Sequence, residues 1–168
     1  IGIGYQTLDA NTTGINNVAV GANALGNATT ADTNTAFGHS AAAALTTGYD
    51  NVAIGALALA TATTQYQNVA VGYEALNSNT QSNNTAVGFQ AAKANTSGQI
   101  TAIGRRSLFT NTTGTNLVAV GYQALNSNTT ADNNTAVGYN ALYTNSTGYE
   151  NVALGNETLE ANSTGHTN

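Results

Sequence analysis

Residues 134–148 read Asn134-Thr135-Ala136-Val137-Gly138-Tyr139-Asn140-Ala141-Leu142-Tyr143-Thr144-Asn145-Ser146-Thr147-Gly148. A short β-like run ends in a glycine, a second short run ends in Ala-Leu, and an Asn-Ser-Thr-Gly turn follows. The arrangement recurs along the chain with its first glycine at Gly21, Gly38, Gly55, Gly72, Gly88, Gly104, Gly121, Gly138 and Gly155, and Ile1 to Gly4 is a variant of it. Counted from Gly4 the interval is 17 residues, except for two consecutive intervals of 16, Gly72 to Gly88 and Gly88 to Gly104. A fixed period of this kind marks a repeat architecture. Two glycine-centred breaks in each copy leave no room for a helix of ~10–12 residues. The period therefore predicts an all-β fold, a parallel β-solenoid (β-roll) of ten 16–17-residue coils, with 1–168 as one repeat region. At ~4.8 Å per coil the rod is ~45–50 Å long. The Leu-x-x-Leu-x-Leu pattern of a leucine-rich repeat is absent.

Stacking converts sequence columns into ladders. One apolar column holds Ile3, Val20, Phe37, Ile54, Val71, Val87, Ile103, Val120, Val137 and Leu154; a second holds Leu8, Leu25, Ala42, Leu59, Leu76, Ala92, Leu108, Leu125, Leu142 and Leu159. The two are expected to fill the interior, one from each of two strands per coil, with Val20, Ile54, Val71, Val120 and Val137 buried in line. The residue before the first column is Ala in every full copy, including Ala19, Ala70 and Ala136. Alternation places it on the opposite face of the strand, so both faces are apolar, as in sheets covered on both sides. One face lines the roll and the other needs a partner surface, for which a second copy is the simplest candidate. The converse assignment has Ala lining a very narrow interior and the Val/Ile face meeting the partner.

Polar columns complete the coil. Asn17, Asn34, Asn51, Asn68, Asn84, Asn134, Asn151 and Asn168 form one, interrupted by Ile100 and Leu117; stacked amides can hydrogen-bond along the rod. A hydroxyl column runs from Thr12 through Thr29, Thr46, Thr63, Thr80, Thr96, Thr112 and Thr129 to Ser146 and Ser163, positioned to bond nearby backbone at the turn. Gly14, Gly48, Gly98, Gly114, Gly148 and Gly165 follow two residues later, where a positive φ is expected.

Composition excludes several function classes. Of 168 residues only 7% are charged, and the three bases are Lys93, Arg105 and Arg106, which leaves no electrostatic footprint for nucleic acid. No apolar run approaches the ~18–20 residues of a membrane span. Without cysteine, disulfides and thiolate metal sites are impossible. Low charge and regularly spaced Val, Ile and Leu argue against disorder. His39 and His166 lie in different columns, and Asp32 and Asp132, like Asp50 and Glu150, share turn offsets about six coils apart. No catalytic, metal or cofactor site is expected from them. Sequons such as Asn111-Thr112-Thr113 and Asn145-Ser146-Thr147 arise from the turn motif.

The copies resemble head repeats of trimeric autotransporter adhesins (YadA-like) and related repeats of phage tail fibres. The residues that carry the resemblance are Asn-x-Ala-Val/Ile-Gly followed by x-x-Ala, as in Asn68-Val69-Ala70-Val71-Gly72-Tyr73-Glu74-Ala75-Leu76. The period differs, the adhesin repeat being nearer 14 residues, so the Asn-Thr-Thr-Gly turn here is an enlarged one. The resemblance implies a left-handed roll, a homotrimer, an extracellular location on a bacterial cell surface or virion, and a non-enzymatic structural or adhesive role with a cell-surface or glycan receptor. One irregularity stands out: Lys93, Arg105, Arg106, Phe89 and Phe109 cluster in the two shortened copies and the one after. Arg105 falls between Phe89 and Tyr122 in one column, where a cation–π ladder is worth ~0.5–1 kcal/mol at an exposed site. Phe89, Arg105, Arg106 and Tyr122 are thus a candidate receptor-contact spot, against a solvated kink where the loop loses a residue. The alternative function is an ice-binding solenoid with Thr/Asn ladders, although adjacent Thr-Thr sends the two hydroxyls in opposite directions. Finally, 168 residues make an integral number of coils, and Asn168 followed by Ile1 would continue the repeat. The expectation is axial stacking, or a segment of a longer fibre.

Overall fold

A backbone that repeats every 16 or 17 residues can pair each coil with the next at every position, and it does so here. The computed structural model describes residues 1–168. It contains ten short strands: β1 (Gly2–Ile3), β2 (Val18–Val20), β3 (Thr35–Phe37), β4 (Val52–Ile54), β5 (Val69–Val71), β6 (Thr85–Val87), β7 (Ile100–Ile103), β8 (Leu117–Val120), β9 (Thr135–Val137) and β10 (Val152–Leu154). They form one parallel sheet in sequence order, a β-solenoid of about nine turns with no helix. The register aligns like with like. Ala19 pairs with Ala36, Ala36 with Ala53 and Ala53 with Ala70, and Val20, Phe37, Ile54 and Val71 align beside them.

Each coil has one strand, not the two expected. The Ala-Leu run is instead a tight corner, in which the leucine and the residue two before it have left-handed backbone, as at Glu74 (φ 53) and Leu76 (φ 48). A left-handed non-glycine residue costs roughly 1–2 kcal/mol. Burial of the leucine offsets this: Leu25, Leu59, Leu76, Leu108, Leu125 and Leu142 are fully inaccessible, each worth ~1.5–3 kcal/mol. The corners also hydrogen-bond axially, Leu25 N–H to Ala41 O at 3.0 Å and Leu59 N–H to Ala75 O at 3.0 Å.

The interior is the converse of the first assignment. Ala19, Ala70 and Ala136 are fully buried and face the leucine column. Val20, Ile54, Val71, Val120 and Val137 stand on the outer face; Ile54 is 39% exposed and the four valines are partly exposed. The physical reason is width. A coil whose far wall is leucine leaves only a methyl's depth on the near wall, so the large β-branched side chains must point out.

The turn glycines also depart from expectation. Gly14, Gly48, Gly98, Gly114, Gly148 and Gly165 do not have positive φ; the left-handed residue lies two places on, at Asn16, Asp50, Asn116 and Glu150, for example. The glycine that closes each strand is the one with constrained geometry. Gly55 has φ +129°, and a Cβ there would lie 2.5 Å from the carbonyl oxygen of Gly72 in the next coil. Gly155 has the same conformation (φ +127°), but a Cβ would meet only the Thr158 hydroxyl, at 2.9 Å. Gly155→Ala should therefore cost about 1–3 kcal/mol from strain alone, and Gly55→Ala clearly more, read as the difference in thermal midpoint. Equal losses would mean that the axial approach contributes nothing.

Candidate functional site

Three features run the length of the rod. The first is internal. The Asn17, Asn51, Asn68, Asn134 and Asn151 side chains, with Asn34 and Asn84, point inward and are buried. Alternation explains this, since Asn17 and Ala19 share a face. Asn51 Nδ2 donates to Asn34 Oδ1 (3.0 Å), Tyr49 O (3.1 Å) and Gln65 O (2.8 Å), while Asn51 Oδ1 accepts from Asn68 N–H and Nδ2, both at 3.1 Å. Each amide thus joins its own corner to both neighbouring coils. Asn134 and Asn151 repeat the pattern at 3.2 Å. Ile100 and Leu117 replace the amide in two coils and are equally buried.

A second internal ladder escaped the sequence reading. Asn79, Asn95, Asn111, Asn128 and Asn145 are fully buried, linked by Asn111 Nδ2 to Asn95 Oδ1 (2.7 Å), Asn128 Nδ2 to Asn111 Oδ1 (2.8 Å) and Asn145 Nδ2 to Asn128 Oδ1 (3.1 Å). In the preceding coils the column holds Ala28, Leu45 and Ala62, also buried, and this apolar-to-Asn switch was the available signal that the column faces inward. The sequons at Asn111 and Asn145 consequently lie inside the rod, closed to modification of the folded chain.

The second feature is the hydroxyl column. Thr12, Thr29 and Thr46 donate to the carbonyl of the matching residue one coil on, at 2.9, 3.1 and 3.0 Å, and Thr96 and Thr112 do so at 2.8 Å. The turn acids have structural partners as well. Asp32 Oδ1 accepts from Ile15 N–H (2.7 Å), Asp132 Oδ1 from Thr115 N–H (2.6 Å) and Oγ1 (3.0 Å), and Asp50 Oδ1 from Thr33 Oγ1 (2.5 Å). His166 lies flat on Tyr149, centroids 4.7 Å apart.

The third feature is external. The outer sheet face carries two parallel rows: Val18, Thr35, Val52, Val69, Thr85, Thr101, Val118, Thr135 and Val152, and beside it the Val20 to Leu154 column. No position in either row is charged. Just past the strand, an aromatic stack borders the face. Tyr73 stacks on Phe89 (5.4 Å) and Tyr122 on Tyr139 (5.1 Å). Arg105 bridges the two stacks, its guanidinium 5.5 Å from Phe89 and 5.4 Å from Tyr122, with Nη1 donating to the Tyr122 hydroxyl at 2.9 Å.

Phe89, Arg105 and Tyr122 thus meet as the spacing indicated. Arg106 belongs to a neighbouring column, over Phe109 at 5.0 Å and donating from Nε to Gln90 Oε1 at 2.9 Å. Gln90 in turn donates to Glu74 (2.8 Å), which pairs with Lys93 at 2.7 Å. The hydrogen bond from Lys93 holds the Glu74 carboxyl below its ordinary pKa, with partial burial opposing and Gln90 assisting. A lowered carboxyl pKa stabilises at neutral pH, and the contribution is lost as pH falls through the folded value.

These features define a repeat protein of the parallel β-solenoid class, with an amide-laddered interior and one apolar outer face. No protein-family model, characterised protein or solved structure matches the chain.

The ladder makes a direct prediction. Asn51→Leu copies the residues tolerated at Ile100 and Leu117 but leaves the Asn68 backbone N–H and one of its two amide hydrogens unpaired, an expected loss of about 1–3 kcal/mol. Asn51→Asp places carboxylate oxygen against three acceptors and should lose more at pH 7. Burial raises that carboxyl's folded pKa above the unfolded value of about 3.9, so the excess loss should shrink as pH falls through the raised folded value and be nearly gone by about pH 4. Urea melts of both variants at pH 7 and pH 3.5 check it; a pH-independent gap would contradict the buried-amide account.

Proposed function

We propose that this chain is a non-enzymatic structural or adhesive fibre segment, a stiff rod that self-associates along its sheet face as a homotrimer and presents repeated surfaces for multivalent contact. The observation that carries the reading is the outer face of the sheet. Two rows dominated by Val, Ile, Phe and Thr run unbroken along the rod, with Phe37 57% and Val18 37% exposed. A continuous apolar surface of this kind marks an interaction site. A second copy is the fitting occupant, because the face carries none of the net charge of −5 and so meets its own copy without like-charge repulsion. The number three comes from the resemblance to trimeric adhesin heads, as does the extracellular setting on a cell surface or virion. Continuation into a longer fibre, by axial stacking or covalently, belongs to the same reading.

One observation favours a second reading. Thr35, Thr85, Thr101 and Thr135 stand outward in one row of the sheet, so the face offers some of the hydroxyl array an ice-binding solenoid needs. Five of the nine positions in that row are valine, and the partner row has no hydroxyl, which favours protein contact. A thermal-hysteresis assay separates the two.

The test of the first reading is mass in solution. Sedimentation equilibrium should give three times the 16.9 kDa chain mass. Replacing Val71 and Val137 together with Glu should release folded monomers with unchanged far-ultraviolet circular dichroism. Ala70→Glu, which drives a carboxylate into the interior, should unfold the rod. A chain that sediments as a monomer at all concentrations would overturn the reading.

A further inference from the structure

The two shortened coils lose their residue at one place. Four residues separate Thr63 from Asn68 and Thr112 from Leu117, but only three separate Thr80 from Asn84 and Thr96 from Ile100. The corner is therefore cut back over two adjacent coils, with full-length corners on both sides. The result is an open notch of about 470 Å³, whose ten lining residues include a single hydrophobic one, Tyr66.

The groups in the notch divide sharply into occupied and free. Gln65 is fully used: Nε2 donates to Thr80 O (3.0 Å) while Oε1 accepts from the N–H groups of Thr63 (2.6 Å) and Thr64 (3.0 Å). Ser82 Oγ accepts from Tyr66 N–H at 3.0 Å. Gln81, Asn83 and Gln99 are exposed, and their side-chain amides make no hydrogen bond within the chain. Tyr66 is covered on one ring face by Tyr49, parallel at 4.9 Å. Its other face looks along the column toward Ser82 and Gly98, small residues that leave the space beside the ring open. Gly98 is not there for lack of room, since a Cβ would stand 3.3 Å from the Ser82 carbonyl, against 2.5 Å at Gly55.

We propose that this notch is a binding site for a neutral carbohydrate, one pyranose ring seated on Tyr66 and held by Gln81, Asn83 and Gln99. The chemistry is specific to that class. A pyranose presents a C–H face that packs on an aromatic ring and a rim of hydroxyls that both donate and accept. A side-chain amide offers both functions side by side. No charged residue lines the notch, so phosphate or carboxylate ligands find no counter-charge. The open, polar shape does not suit an apolar ligand, which needs an enclosed apolar pocket. The proposal deepens the adhesive part of the reading above and does not depend on the trimer.

The test uses the full chain, labelled with nitrogen-15, titrated with maltotriose, cellotriose and N-acetylchitotriose as probes. At least one should shift the side-chain amide signals of Gln81, Asn83 and Gln99 in a saturable manner. Tyr66→Ala and Gln99→Ala should each weaken that probe by about ten-fold with the thermal midpoint preserved, whereas Tyr139→Ala, in the Tyr122–Tyr139 stack, should leave binding unchanged. If a variant is unstable, Gly98→Tyr supplies a second arm, since the added ring fills the notch and should abolish the shifts. Absence of saturable shifts with all three probes overturns the proposal, as does binding that survives both Tyr66→Ala and Gln99→Ala. A monomeric chain that binds sugar defeats the trimer alone, and a trimer that binds none defeats the carbohydrate site alone.

Discussion

Axial hydrogen bonding between equivalent positions is the interaction on which everything else in this rod depends. Of 102 backbone–backbone hydrogen bonds, only 19 lie within the strands. The corners are therefore held as firmly as the sheet, and the fold is better described as a stack of identical loops than as a sheet with connections. This places one demand on every residue: the coil above and the coil below must adopt the same conformation within ~4.8 Å. The demand accounts for the glycine that closes each strand, where a side chain would strike the next coil's carbonyl. It also allows three non-glycine residues per coil to remain left-handed, because each strained corner is bonded on both sides to a copy of itself.

The interior follows from the same demand. A loop this small cannot be filled from both walls with large side chains, so a leucine wall faces an alanine wall. The remaining width is bridged by asparagine, whose amide donates and accepts along the rod. The two amide ladders exchange places: where the first is interrupted at Ile100 and Leu117, the second supplies Asn95 and Asn111, and where the second is replaced by Ala28, Leu45 and Ala62, the first supplies Asn34, Asn51 and Asn68. Asn84 Nδ2 joins them, donating to Asn79 Oδ1 at 3.0 Å. Every complete coil thus keeps at least one amide rung. A buried amide without partners would cost several kcal/mol; a stacked one stabilises its register, because a slip along the chain would break every rung at once.

Much of this was legible in the sequence, and the part that was not has a physical explanation. Period, coil number, parallel stacking and the hydroxyl column follow directly from residue spacing. The orientation of the strand does not, because size favours Val and Ile inside and Ala outside. The deciding clue was Ile100 and Leu117 standing in the asparagine column: an apolar residue replacing a stacked amide marks an inward position, and alternation then turns Ala102 and Ala119 inward with it. The left-handed Ala-Leu corner was opaque for a different reason. Leucine has no intrinsic preference for positive φ, and only the stack makes that conformation favourable.

A strictly periodic rod has identical chemistry at every level, so any local recognition must arise where the period fails. In this chain the failures coincide. The two 16-residue coils and the one that follows hold all three basic residues and the Glu74–Lys93 pair at their boundary. They also hold the guanidinium that splices two aromatic stacks, and the cut-back corner beside Tyr66. The full-length coils on either side repeat ladders whose donors and acceptors are largely consumed in holding the stack. The amides of Gln81, Asn83 and Gln99 are free at this level, gathered around the cut-back corner beside Tyr66. Deletion of one residue in a solenoid therefore has two consequences at once: it leaves the axial pairing of the sheet intact, and it opens a polar notch at a single level of the rod.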